Sequence, residues 1–218
     1  MHALLRHLDG VPCVPRVLGF DEQGREVLEY LPGEVVDLTV EHLSPRRLVA
    51  LVEWVRLFHS AVAGFDHPGP WRLGAVGEPV LVCHNDLGAY NVCWRGDEVA
   101  GVFDWDAAGP SKPLLELAFV AWNGVPMWAV DRDPDTYVEV AAERLTLVAD
   151  TYGGVSPVDL LHAVPARIQL MVDGISRGAA AGDAGLANLV AAGFHARDVA
   201  TLAAMRERVP AVERALRR

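Results

Sequence analysis

The sequence predicts an α+β fold: a β-rich opening, one long helix, a small group of strands, then a run of helices. Three observations predict it. Two short apolar runs flank the turn Asp21-Glu22-Gln23-Gly24. Short β-branched runs broken by polar loops fill residues 80–103. After Pro113 the apolar residues recur at helical spacing.

The elements follow in order. Residues 2–8 (HALLRHL) form a short helix. No capping residue opens its first turn, so the element is expected to begin at or before the start of this chain; Pro12 and Pro15 break it. Arg16–Phe20 and Glu26–Leu31 make a hairpin, ended by Pro32-Gly33. Ser44-Pro45 starts a long helix, with a hydroxyl at the N-cap and proline at the first helical position. Leu48, Leu51, Val52, Val55, Phe58 and Val62 give it one apolar face. A Gly- and Pro-rich loop over 64–79 follows. Val80–Cys83, Asn91–Trp94 and Val99–Phe103 read as three strands of one small sheet, with Arg95–Glu98 as a turn. Helices are expected over 114–123, 135–152, 156–180, 184–192 and 196–217. Pro165 should kink the third of these or end its first part.

Composition narrows the function. The chain has 218 residues, enough for an ordinary core without disulfides or a structural metal. Apolar residues make up 51% and charged ones 22%, which excludes a disordered chain. The net charge of −10 repels phosphate backbones and anionic lipid, so neither nucleic acid nor a membrane surface is an expected partner. Three cysteines, Cys13, Cys83 and Cys93, form no CxxC pair. They suit free thiols in a reducing compartment, and with no signal peptide in view the expected location is cytoplasmic. Of the 19 basic residues one is lysine, Lys112.

One segment carries chemistry: His84-Asn85-Asp86-Leu87-Gly88-Ala89-Tyr90-Asn91, followed after a strand by Asp104-Trp105-Asp106. Carboxylates and a carboxamide sit in loops after buried strands. Like charges held near one another favour a shared cation. Asp with Asn is a hard oxygen donor set, suited to Mg²⁺ holding a phosphate. A remaining Asp is then free to orient or deprotonate a hydroxyl.

HNDLGAYN and VFDWDAAG resemble H-x-D-x-x-x-x-N and the I-D-[WF]-[DEG] turn of the aminoglycoside phosphotransferase and choline kinase family, whose members have a protein-kinase-like fold. The resemblance implies that Asp86 is the catalytic base and that His84 braces its loop. It implies that Asn91 and Asp104 are metal ligands, with Asp104 at the place of the kinase D-F-G aspartate. RVLGFDEQGREVLEYLPGE resembles the last N-lobe strands and hinge, which sets the backbone of Glu29, Tyr30 and Leu31 against a nucleotide base. SPRRLVALVEWVRLFHSA resembles the helix before the catalytic loop. Ser111–Ala118 stands where the family often reads G-D-P-x-x-D-L-A; Lys112 and Glu116 replace the two aspartates, and Glu116 is expected to brace the catalytic loop still.

The implied architecture is a mainly helical, kinase-like C-lobe over 32–218, whose small sheet carries the catalytic loops, with a remnant of the N-lobe and hinge over 1–31. The implied activity is transfer of the γ-phosphoryl of ATP or GTP, with Mg²⁺, to the hydroxyl of a small acceptor. Trp105, Asp106 and Trp122 are acceptor-pocket candidates, since aromatic faces and carboxylates bind cationic groups; core packing is the alternative for the tryptophans. His59, His162 and His195 carry no partner pattern, and His59 reads as a capping or packing residue.

The family's phosphate-covering loop and its basic strand residue have no counterpart in residues 1–8, and no Lys precedes Lys112. Arg6 or Arg16 could supply the charge. A second reading is therefore a non-catalytic kinase-like protein that binds a ligand or partner. A third is a metal-dependent hydrolase using His84, Asp86 and Asp104. Apolar surface left by a short N-lobe is most simply covered by a second protomer, so a homodimer is expected.

Overall fold

A computed structural model of the chain describes residues 1–37, 43–125 and 134–218. They fall into two units, Met1–Gly124 and Val125–Arg218.

The first unit opens with helix α1 (His2–His7) and the hairpin β1 (Val17–Phe20) and β2 (Glu26–Leu28). The Asp21 carboxylate accepts the backbone N–H of Gln23 and of Arg25, and Gly24 takes φ +75°, so the turn chemistry sits where the sequence puts it. The Arg16 guanidinium grips Glu29 through two bonds of 3.0 and 3.1 Å across the base of the hairpin. Strand β2 stops at Leu28, short of the expected Leu31. A two-residue strand β3 (Glu34–Val35) follows, which the alternation did not signal.

Helix α2 (Pro45–Ala61) begins as the sequence predicts: the Ser44 hydroxyl accepts the Arg47 N–H at 3.1 Å. Its buried face carries Leu48, Leu51, Val52, Trp54, Val55 and Phe58. Trp54 and Phe58 stack at 5.3 Å, and both meet the edge of Trp105.

The strands do not form the single three-stranded sheet expected. Strand β5 (Val92–Arg95) pairs antiparallel with β6 (Glu98–Val102) and, on its other side, with β3. Strand β4 (Leu81–Cys83) pairs instead with β7 (Gly109–Ser111), a strand that composition hid because it reads Gly-Pro-Ser. Pro110 lacks an N–H to give to a ladder, so β7 resembles a loop in sequence. Helix α3 (Pro113–Gly124) closes the unit.

The second unit is helical: α4 (Pro134–Tyr152), α5 (Pro157–Ala180), α6 (Ala184–Ala191) and α7 (Phe194–Leu216). Ser156 caps α5 and Asp183 caps α6 through their side-chain oxygens. Pro165 lies inside α5 and does not end it; the helix runs on to Ala180. No described helix is long and apolar enough to cross a membrane.

Candidate active site

Two loops meet at the candidate site. The first leaves β4 at Cys83 and runs through His84 to Asn91. The second leaves β6 at Val102 and runs through Asp104 to Ala107, both last residues lying in short 3₁₀ turns.

Backbone geometry shapes each loop. Asn85 and Asp104 both take left-handed conformations, φ +64° and +59°. Asn and Asp tolerate that region better than other residues with a side chain. The Asn85 carboxamide then donates to the carbonyls of Ala107 and Gly109 at 3.2 and 3.0 Å, stitching the first loop to the second. The Phe103 N–H reaches the Asn91 carbonyl at 3.0 Å, fixing the start of the Asp104 turn against the end of the first loop.

His84 is buried between them. Its Nε2 lies 3.0 Å from the Phe103 carbonyl. With Nε2 protonated, Nδ1 accepts the Asp86 N–H at 3.4 Å, so one tautomer serves both contacts. The imidazole packs on the buried Trp105 indole at 4.6 Å, and that indole N–H donates to Val102. Trp105 thus lies under the loop, in the core.

Glu116 on α3 anchors the first loop from below. Its two carboxylate oxygens accept the backbone N–H groups of His84 and Asn85 at 2.9 and 2.8 Å. The brace expected of Glu116 is present in this form. His59, at the end of α2, stands 3.3 Å from the same carboxylate, and the Cys83 thiol 3.8 Å from His59. Burial alone would raise the Glu116 carboxyl. The hydrogen bond and charge of His59 and the hydrogen bond from the His84 amide outweigh it and hold the carboxyl below its ordinary value. His59, Cys83 and Glu116 place ligand-type atoms within 4.8 Å of one another. Both Glu116 oxygens already serve backbone amides, so the group is accounted for as a brace.

Asp86 sits at the front. The Tyr90 hydroxyl donates to its Oδ1 at 2.9 Å. The Asn91 Nδ2 donates to its Oδ2 at 3.0 Å and to its carbonyl at 2.9 Å. Burial pushes the Asp86 carboxyl up; Tyr90, His84 and Asn91 oppose that, while nearby Asp104 adds to it. Asp104 is exposed. Asn91 spends its amide nitrogen on Asp86, which leaves its carbonyl oxygen for a cation. With the Asp104 carboxylate this makes a hard-oxygen pair that fits a magnesium ion in kind.

The remaining predicted residues are placed as follows. Asp106 is exposed and pairs with Arg72 at 2.9 Å. Trp122 is half-buried on α3. Glu29 is held by Arg16, Tyr30 is exposed, and the Leu31 carbonyl accepts the Cys93 thiol at 3.6 Å. Lys112 pairs with Glu78 at 2.8 Å. Sequence reasoning missed Tyr90, Asn85 and the link from His59 to Glu116. The first two lie inside the motif but at its variable letters; the third joins elements 57 positions apart.

Residues 73–155 match the family described as the phosphotransferase enzyme family. The trifolitoxin immunity protein of Rhizobium leguminosarum bv. trifolii is 34% identical over 169 residues, covering 69% of this chain. The chain spans 62% of the length of that curated relative. Among solved structures, an amicoumacin kinase bound to AMP-PNP and Ca²⁺ superposes with a TM-score of 0.57 at 13% identity, over 95% of this chain and 75% of that one. The macrolide 2′-phosphotransferase MphH of Brachybacterium faecium gives 0.51 at 18% identity, over 93% and 77%.

Proposed function

We propose that this chain, which matches the phosphotransferase enzyme family over residues 73–155 and has the kinase-like fold of the amicoumacin and macrolide phosphotransferases, is itself a small-molecule phosphotransferase. The observation that carries the reading is the Asp86–Asn91 pair, on a loop whose His84 and Asn85 amides Glu116 holds from below, joined to the Asp104 turn by the Phe103–Asn91 hydrogen bond.

Asp86 is the base that orients the acceptor hydroxyl and takes its proton. His84 holds the Asp86 backbone. Asn91 and Asp104 would hold Mg²⁺, which when bound screens the charge of the phosphates. The nucleotide is ATP or GTP, its base lying against Glu29, Tyr30 and Leu31. Asp106 and Trp122 face the acceptor, and Trp105 supports the loop that carries Asp106. Residues 1–31 serve as the N-lobe remnant and hinge, and 32–218 as the C-lobe. The setting is cytoplasmic, and the exposed hairpin residues Leu18, Phe20 and Tyr30 (62, 65 and 82% exposed) favour a homodimer.

The relatives point to an antibacterial compound as acceptor. One is an amicoumacin kinase, one a macrolide 2′-phosphotransferase, and one an immunity protein. A panel of hydroxyl-bearing antibiotics with Mg²⁺ and ATP or GTP, read by product mass, tests the reading. Product that disappears in Asp86→Asn supports it; no product across the panel, with no nucleotide bound, counts against it.

A second reading, a non-catalytic ligand- or partner-binding protein, draws on one observation. Arg16, a candidate phosphate cation, is engaged by Glu29. Acceptor binding without nucleotide dependence would favour it.

A further inference from the structure

Both oxygens of the Asp86 carboxylate are occupied by the chain itself. Asn91 holds Oδ2 and also bonds the Asp86 carbonyl, so that contact is doubly fixed. Tyr90 holds Oδ1 through a single hydroxyl at the tip of a side chain that is 39% exposed. Of the two contacts, the one at Oδ1 is the one an incoming hydroxyl can replace without breaking the doubly fixed Asn91 link.

Gly88 shows that the Tyr90 ring has room made for it. Gly88 has an ordinary backbone, φ −83° and ψ 157°, so no turn geometry demands a glycine there. A Cβ at this position would lie 2.3 Å from Tyr90 Cε1 and 2.5 Å from Cζ. The glycine clears the space through which the ring folds back over the loop and delivers its hydroxyl to Asp86.

We propose that Tyr90 guards the acceptor site: its phenol occupies on Asp86 the place of the acceptor hydroxyl and leaves only when an acceptor replaces it. The inference rests on the phosphotransferase reading above and adds a regulation to the same site. Without a guard, water on Asp86 would consume nucleotide. The water oxygen would bond to the γ-phosphorus, the bond from that phosphorus to the β–γ bridging oxygen would break, and the water proton would pass to Asp86. The phenol donating to Oδ1 stands where that water would have to sit and takes one of the oxygen's two acceptor sites. An acceptor with a hydroxyl in the right place restores the hydrogen bond it displaces; one without leaves a half-buried carboxylate oxygen short of a donor. The guard thus selects for an acceptor hydroxyl. Tyr90 is a positioning residue in this scheme, since Asp86 performs the proton transfer.

The test uses the full chain with Mg²⁺ and ATP and no acceptor, and measures release of inorganic phosphate. Tyr90→Phe removes the hydroxyl, and Gly88→Ala displaces the ring while keeping it. Both are expected to raise phosphate release several-fold with the nucleotide KM unchanged, and adding Asp86→Asn to either abolishes the gain. A readout independent of turnover is the ring Cζ resonance of Tyr90 in ¹³C-tyrosine-labelled protein, assigned by its loss in Tyr90→Phe; it is expected to shift in Asp86→Ala. The proposal is overturned if Tyr90→Phe releases phosphate no faster than wild type while wild type binds nucleotide in an Asp104-dependent way. It is overturned too if Tyr90 becomes phosphorylated, since the phenol is then an acceptor. Wild type that binds no nucleotide overturns the phosphotransferase reading, and the guard with it.

Discussion

The Glu116 carboxylate accepts the backbone N–H of His84 at 2.9 Å, across 32 positions of sequence, and its second oxygen accepts the next N–H, that of Asn85. One buried side chain on α3 therefore sets the backbone from which Asp86 projects. The position of the candidate base depends on a residue outside the motif that identifies it.

Glu116→Gln keeps the size of this side chain but offers one acceptor oxygen for two amides. The orphaned N–H and the lost charge are expected to cost about 2–3 kcal/mol in denaturant unfolding. An unchanged midpoint would show that the loop holds itself.

The same carboxylate makes stability depend on pH. Its folded value lies below its unfolded one, so it contributes stability above the unfolded carboxylate range. That contribution is lost as pH falls through the folded value. Glu116→Gln should therefore flatten the acid side of the stability curve, and parallel curves for wild type and variant would contradict the assignment.

Trp105 is expected to behave as core. It packs on Trp54, Phe58 and His84 with its indole N–H satisfied. Trp105→Ala should cost about 3–5 kcal/mol, as large aromatic truncations do. A well-folded variant with only acceptor binding impaired would return Trp105 to the acceptor pocket.

Asp106 should separate from it. Its pair with Arg72 is exposed, so Arg72→Ala is expected to change stability by less than about 1 kcal/mol. If Asp106 faces the acceptor, Asp106→Asn raises the acceptor KM and leaves the melting temperature in place.

Burial pushes the Asp86 carboxyl above the usual aspartate range. If Asp86 is the base it must be ionised, so kcat/KM should fall on the acid side at a pH higher than an ordinary aspartate would give. An acid limb absent down to the ordinary aspartate range would argue against Asp86 as the base.

Much of the fold was legible because its signals are local. Ser44-Pro45 capped α2 as written, and the Asp21 turn closed the hairpin. What the sequence hid is non-local. Strand β7 reads Gly-Pro-Ser and exists because β4 pairs with it. Pro165 carries a helix-breaking signal, yet α5 runs through it, its buried Leu161, Val164 and Ile168 lying to either side. At the site, His84, Asp86, Asn91 and Asp104 were readable as a spaced motif. Tyr90 was not, because its contact depends on the room left by Gly88 and on no spacing rule.

The most direct test of the account is a calorimetric titration of the full chain with ATP and GTP, with and without Mg²⁺, for wild type and Asp104→Asn. Asparagine tolerates the left-handed backbone of Asp104, so the variant removes charge without straining the turn. The account predicts Mg²⁺-dependent nucleotide binding that Asp104→Asn weakens by about tenfold or more, at least about 1.4 kcal/mol. No binding up to millimolar nucleotide, or binding indifferent to Mg²⁺ and to Asp104, would contradict it.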